Sequence, residues 1–181
     1  MILALIGFMG TGKSSVGLEL AKRLNYQYID TDHEIEKGIG LTISEIFSKD
    51  GEAYFRKLES DLLKELSKSN NLVLSTGGGI VLSSQNRELL QKKTIPILLQ
   101  ASAEEIYNRV KDDNDRPLLS VVDPLEKINQ LLKKRIKIYN EFAIKIATDR
   151  FEIDEVVDMI MDKMAARGIS IEEVSKDGRE K

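Results

Sequence analysis

The chain of 181 residues has no cysteine, one histidine, three prolines and only 6% aromatic residues. Without cysteine there are no disulfides, no thiolate metal sites and no cysteine nucleophile. His33 is the sole imidazole, so a zinc site built on two histidines is impossible. Catalysis must rest on Asp, Arg, Lys and backbone groups. No apolar stretch approaches the ~20 residues of a membrane span. The N-terminal apolar run is too short, and lacks the basic flank, for a secretory signal, so a cytoplasmic protein is expected. Excess positive charge is missing too. The net charge is −3 and the pI is near 5.4, which argues against general affinity for nucleic acid and makes local basic residues better read as ligands for specific anions.

What is present is an alternation of apolar runs and amphipathic segments. It predicts strand 2–6, helix 13–24, strand 26–29, helices within 32–68, strand 72–75, helix 84–92, strand 95–99 and helix 103–109. That order implies an α/β fold with a parallel sheet. Pro117 and Pro124 bracket a polar stretch that reads as a loop, followed by a long helix from about Leu125 to Tyr139. A short strand near 142–146 and a helix sharing Val156, Val157, Ile160 and Met164 on one face close the domain. One domain, 1–168, fits this length. Residues 169–181 end in small and charged residues and read as a flexible tail.

The most specific motif is Gly7-Phe8-Met9-Gly10-Thr11-Gly12-Lys13-Ser14, placed directly between the first strand and the first helix. Glycines let successive backbone N–H groups curl around a phosphate chain, where side chains would block the approach. Lys13 reaches the β- and γ-phosphates, and the Ser14 hydroxyl is placed to ligate Mg²⁺. Gly10, Thr11, Gly12 and Ser15 complete the expected nucleotide contacts, at a helix N-terminus that adds positive potential.

Four further places can select the acceptor. Asp30 and Asp32 end the second strand, at the edge where open α/β sheets bind ligands. One carboxylate could hold a metal-bound water while the other accepts a hydrogen bond from an acceptor hydroxyl. Helix capping by Asp32 is the plain alternative. Glu52, Arg56 and Glu59 share a helix face, either as a solvated charge ladder or as an arginine oriented to clamp a substrate carboxylate. Gly77, Gly78 and Gly79 follow the third strand, where backbone must approach a ligand closely. Arg116, in Arg116-Pro117-Leu118-Leu119, suits a closing loop that stabilises the transferring phosphoryl group. Arg135, four residues before Tyr139, either binds the acceptor or joins Lys133, Lys134 and Lys137 on a basic solvated face. No Asp-x-x-Gly or Asn-Lys-x-Asp motif occurs, which counts against a GTP switch.

In this order, behind this loop, the motifs resemble the shikimate kinase family of the nucleoside-monophosphate-kinase-like P-loop enzymes. The resemblance spans roughly Ile2 to Ala166. It implies a three-layer αβα P-loop kinase fold with a five-stranded parallel sheet, substrate-binding helices within about 32–62 and a lid at about 110–122. It also implies ATP and Mg²⁺ as co-substrate and metal, and transfer of the γ-phosphate to the 3-hydroxyl of shikimate, as in the synthesis of aromatic amino acids.

The roles it implies are Lys13 on the phosphates, Ser14 on Mg²⁺ and Asp30 on the metal through water. Asp32 would hold the acceptor hydroxyls, Arg56 and Arg135 its carboxylate, the Gly78 backbone its ring, and Glu59 would steer Arg56. Arg116 would be the lid arginine, and Arg109 would pack on adenine. Near adenine the chain departs from the family pattern, reading Ile146-Ala147-Thr148-Asp149-Arg150-Phe151, where either Arg150 or Phe151 could take the usual group's place. A monomer acting on a small molecule, with neither nucleic acid nor membrane, is expected. A gluconate-type or nucleotide-monophosphate kinase of the same fold, and a nucleotide-binding module without transfer activity, are the competing readings.

Overall fold

The apolar run after Met1 forms β1 (Ile2–Gly7), and all six of its residues are buried. Both faces of the strand are covered because its side chains alternate between two cores. Leu3 and Leu5 join Val16, Leu20 and Leu24 with Val157, Ile160 and Met164 on one side. Ile2, Ala4 and Ile6 join Leu63, Leu72, Leu74, Leu90 and Phe142 on the other. A strand buried on both faces reads as a continuous apolar run, which is why this segment shows no polar alternation. Truncating Leu5, which is completely buried, to alanine would cost about 2–5 kcal/mol.

The computed structural model describes residues 1–111 and 122–169. After β1 come α1 (Lys13–Leu24), β2 (Gln27–Asp30), α2 (Thr31–Ile39), α3 (Ile43–Leu66), β3 (Leu72–Ser75), α4 (Ser84–Lys93), β4 (Ile95–Gln100), α5 (Ala103–Val110), α6 (Pro124–Tyr139), β5 (Ile144–Ala147) and α7 (Ile153–Ala165). The five strands are parallel in the order β2-β3-β1-β4-β5. Helices cover both sheet faces, giving the expected three layers.

Chain order fixes where a ligand can enter. From β1 the chain crosses to β2 at one edge, while from β3 it crosses to β4 on the other side of β1. The connections diverge, so a crevice opens at the C-terminal ends of β1 and β3. The phosphate-loop motif follows β1 and the three glycines follow β3.

Local chemistry sets the helix ends. Thr42 and Glu45 form a reciprocal capping box at the start of α3. Asp123 caps α6 through the Glu126 N–H at 3.0 Å, with Pro124 in the first turn. Helix α3 is broken at Gly51, whose φ of 81° and ψ of 170° lie outside the helical region. Two differences from the sequence expectation stand out. The last strand is Ile144–Ala147 rather than 142–146, because Phe142 is buried beneath the sheet with Tyr139 as part of the preceding turn. A single 3₁₀ turn, Ile80–Leu82, also follows the glycines.

Candidate active site

The turn from β1 into α1 requires glycine at Gly10 and Gly12, where φ is 72° and 88°. The loop closes on one carbonyl: Thr11 Oγ1 and Lys13 Nζ both donate to Phe8 O, each at 2.8 Å. Lys13 is therefore held over the loop, only 8% exposed. Ser14 and Ser15 occupy the first turn of α1, whose free N–H groups and dipole favour an anion.

The two aspartates divide their work differently from the plain sequence reading, in which Asp32 would cap a helix. Asp30 is the cap of α2: its Oδ1 accepts from the N–H groups of Asp32 at 3.1 Å and His33 at 3.4 Å. Its Oδ2 accepts from Ser14 Oγ at 2.9 Å. Asp32 lies in the first turn of α2 and lines the crevice instead. The pairing of Asp30 with Ser75 in adjacent strands sets this division, because it fixes which carboxylate ends the strand.

On α3, Arg56 bridges two carboxylates. It donates to Glu52 Oε1 from Nη2 at 3.0 Å and to Glu59 Oε2 from Nη1 at 2.5 Å. The ladder is not solvated at its inner end, since Glu59 is completely buried while Glu52 is exposed. Burial pushes the Glu59 carboxyl up to about 7, against the opposing charge and hydrogen bond of Arg56 and with help from the negative charge of Asp32 and Glu52.

The three glycines make this packing possible. A Cβ on Gly77 would lie 2.5 Å from Asp32 Oδ1 and 2.6 Å from Glu59 Oε1, so both carboxylates converge on one point. A Cβ on Gly79 would overlap the Arg56 guanidinium. The Gly77 N–H is anchored by Thr31 Oγ1 at 2.9 Å.

Arg135 does not belong to the basic solvated face of its helix. Lys133, Lys134 and Lys137 are exposed, whereas Arg135 is 7% exposed and shares the buried face with Ile128 and Tyr139. Its Nη1 donates to Gly78 O at 2.6 Å, and its guanidinium lies 4.9 Å from the Phe8 ring centre.

These groups line two adjoining hollows. One runs along the loop past Gly12, Lys13, Ser14, Asp30 and Ser75. The other is enclosed by Phe47, Phe55, Arg56, Glu59, Gly79 and Arg135. Met9, Asp32 and Gly78 line both. Beyond Gly10 and Ser15 a third groove carries Arg109, Thr148 and Phe151 in its wall. Arg109 donates to Gly10 O at 3.2 Å, Thr148 Oγ1 at 3.0 Å and Thr148 O at 2.8 Å, and pairs with Glu105. Of the departing segment, Thr148 and Phe151, the latter 45% exposed, join Arg109 there, and Arg150 does not line the groove. Arg116 and most of the expected lid lie outside the described residues, as do residues 170–181 of the expected tail.

A loop that holds a lysine over anion-seeking N–H groups thus lies beside a cavity with two arginines and a carboxylate at the seam. A family model for shikimate kinase matches residues 9–165. The chain belongs to the shikimate kinase family. The shikimate kinase of Thermodesulfovibrio yellowstonii is 43% identical over 159 residues, which cover 88% of this chain and 92% of that protein. A solved structure of shikimate kinase from Acinetobacter baumannii in complex with shikimate is 37% identical, with a TM-score of 0.89 over 93% of this chain and 95% of that one. A gluconokinase from Sinorhizobium meliloti, at 16% identity and a TM-score of 0.57, shares the fold alone.

Family membership makes the chain an ATP-using phosphotransferase of the shikimate pathway. Among the described residues no helix is long and apolar enough to cross a membrane. Sequence reasoning gave no role to Phe8, Thr31 or Thr148. Phe8 reads as a spacer within the loop motif, and only its contacts reveal it. The burial of Arg135 had a usable signal in its four-residue spacing from Tyr139 and seven-residue spacing from Ile128.

Proposed function

We propose that the chain transfers the γ-phosphate of ATP to the 3-hydroxyl of shikimate, giving shikimate 3-phosphate and ADP. The observation that carries this reading is the position of Asp32, which lines both the phosphate-loop hollow and the cavity of Arg56 and Arg135. A hydroxyl accepted by Asp32 faces the loop on one side, while a carboxylate on the same small molecule can reach the arginines on the other. Bidentate guanidinium contacts suit that carboxylate. Phosphoryl transfer through a loose transition state demands charge neutralisation and alignment more than early proton removal. Asp32 accordingly orients the acceptor hydroxyl first and takes its proton late. Lys13 offsets charge on the phosphates, and the backbone of Gly10, Thr11 and Gly12 with Ser14 and Ser15 holds them. Arg56, Gly77, Gly78, Gly79 and Arg135 form the acceptor wall, with Glu59 holding Arg56.

The donor set beside the loop fits Mg²⁺. The Ser14 hydroxyl and Asp30 carboxylate are hard oxygen donors 2.9 Å apart, and among the described residues no group of three His, Cys, Asp or Glu could cage an ion. That matches a metal shared with substrate phosphates, with Ser14 as a direct ligand and Asp30 reaching it through water. When bound, the ion would neutralise charge on the β- and γ-oxygens.

Arg109 and Phe151 supply the walls for the adenine. Arg116 adds positive charge to the phosphates from the lid. The reading includes a monomer acting in the cytoplasm on a small molecule, without nucleic acid or membrane.

The test is a coupled ADP-release assay with shikimate, quinate, gluconate and nucleoside monophosphates. Strong turnover is expected with shikimate alone. Equal turnover with gluconate, or ATP binding without shikimate-dependent ADP release, would overturn the assignment.

A further inference from the structure

Phe8 touches both halves of the site. Its carbonyl is the acceptor for Lys13 Nζ and Thr11 Oγ1, so the peptide that closes the phosphate loop is its own. Its ring carries the Arg135 guanidinium at 4.9 Å. The ring is 1% exposed and wedged against Ala103, Ile106, Val110 and Ile128, so it cannot swing away independently of its backbone. Arg135 in turn is tied to Gly78 O at 2.6 Å, and the Gly78 α-carbon lies hard against the loop, since a Cβ there would be 3.3 Å from Met9 N. The phosphate loop, Gly78 and Arg135 thus form one closed set of contacts with Phe8 at its centre.

We infer that Phe8 is a positioning residue that couples the two substrates: the peptide set by nucleotide on the loop fixes the aromatic platform that aims Arg135 at the acceptor. The inference rests on the proposed assignment of the loop to ATP and of Arg135 to the shikimate carboxylate. Coupling of this kind is reciprocal, so shikimate must tighten nucleotide binding by the same factor. A desolvated cation–π contact accounts for roughly a tenfold change in affinity.

The experiment compares the full chain with Phe8→Leu and Phe8→Met, two side chains that fill the site without offering a π face. Shikimate Kd is measured with and without saturating MgADP, and steady-state KM is measured for both substrates. The wild-type chain should bind shikimate several-fold tighter with MgADP present. In the variants that ratio should fall toward one, and KM for shikimate should rise more than KM for ATP.

In a chain already carrying Arg135→Gln, which removes the cation from the ring, Phe8→Leu should have no further effect on the shikimate KM. A purely structural role would instead add its full cost again. A wild-type ratio of one, an unchanged ratio in the variants, or additive effects with Arg135→Gln would each overturn the coupling. A wild-type chain that does not use shikimate at all would instead refute the functional reading beneath it. Should Phe8→Leu fail to fold, Phe8→Met decides the outcome.

Discussion

Replacing Glu59 with glutamine should make the protein more stable at alkaline pH and a poorer binder of shikimate at the same time. Glu59 is completely buried, and its carboxyl is raised from an ordinary 4.5 to about 7, chiefly by burial. Between those two values the folded chain keeps a proton that the unfolded chain has released. Stability from this group therefore falls as pH rises through that window, and above pH 7 it is lower by about 3 kcal/mol. Glutamine has nearly the same shape and does not titrate, so Glu59→Gln removes the slope. Carboxylates remote from Glu59 are common to both proteins and cancel in the difference. Circular-dichroism melts of the two at pH 5 and pH 8.5 should show the variant gaining on wild type by roughly 5–10 °C across that interval. Meanwhile the bond to Arg56 Nη1 loses its charge, so the shikimate KM should rise about tenfold. A melting difference that stays constant with pH, or shrinks as pH rises, would refute the claim that burial raises the Glu59 carboxyl.

Asp32→Asn should lower turnover by roughly 10²–10⁴-fold while leaving ATP binding intact; near-normal turnover in the ADP-release assay would eliminate both the orienting and the proton-accepting role. Asp30→Asn separates two functions of one side chain. Asparagine caps helices as well as aspartate, so thermal stability should change by little, yet the Mg²⁺ concentration for half-maximal activity should rise, and an unchanged requirement would remove Asp30 from the metal. Gly79→Ala drives a methyl into the Arg56 guanidinium, so KM for shikimate should increase at least tenfold with KM for ATP unaffected; equal increases in both would mean that Gly79 does not act through Arg56.

The phosphate loop was legible because its glycine spacing is a direct record of backbone geometry: Gly10 and Gly12 adopt conformations that other residues avoid. The sheet was legible for a similar reason, as strands buried on both faces leave continuous apolar runs. Less local questions were not. The sequence around Asp30-Thr31-Asp32 cannot say which carboxylate caps the helix, since that depends on the register of β2 against β3. The Glu52, Arg56 and Glu59 spacing looks the same for a solvated ladder as for a half-buried clamp. The difference lies in Gly77 and Gly79, some twenty residues further on, which leave room for the inner carboxylate and the guanidinium. Phe142 was drawn into a strand by its apolar character, although its burial comes from the turn before β5.

The two halves of the site are built on different principles, and this predicts where substrate preference resides. The phosphate-binding core of the donor half is eight consecutive residues, held by a wholly buried strand and closed on a single carbonyl. The acceptor half draws Asp32 from α2, Arg56 and Glu59 from α3, the glycines from the end of β3 and Arg135 from α6. Only the β2–β3 register, which sets Asp32 beside the glycines, positions one of these parts through the backbone ladder. Otherwise they meet through side-chain charge and through contacts that only glycine permits. Helix α3 also contains the Gly51 break, across which Phe47 and Phe55 pack at 4.9 Å. Substitutions in α3 should therefore alter the choice of acceptor while sparing nucleotide affinity, whereas changes at Gly10 or Gly12 should abolish both. On the proposed assignment, selectivity arises where the carboxylates and guanidinium groups converge on Gly77 and Gly79.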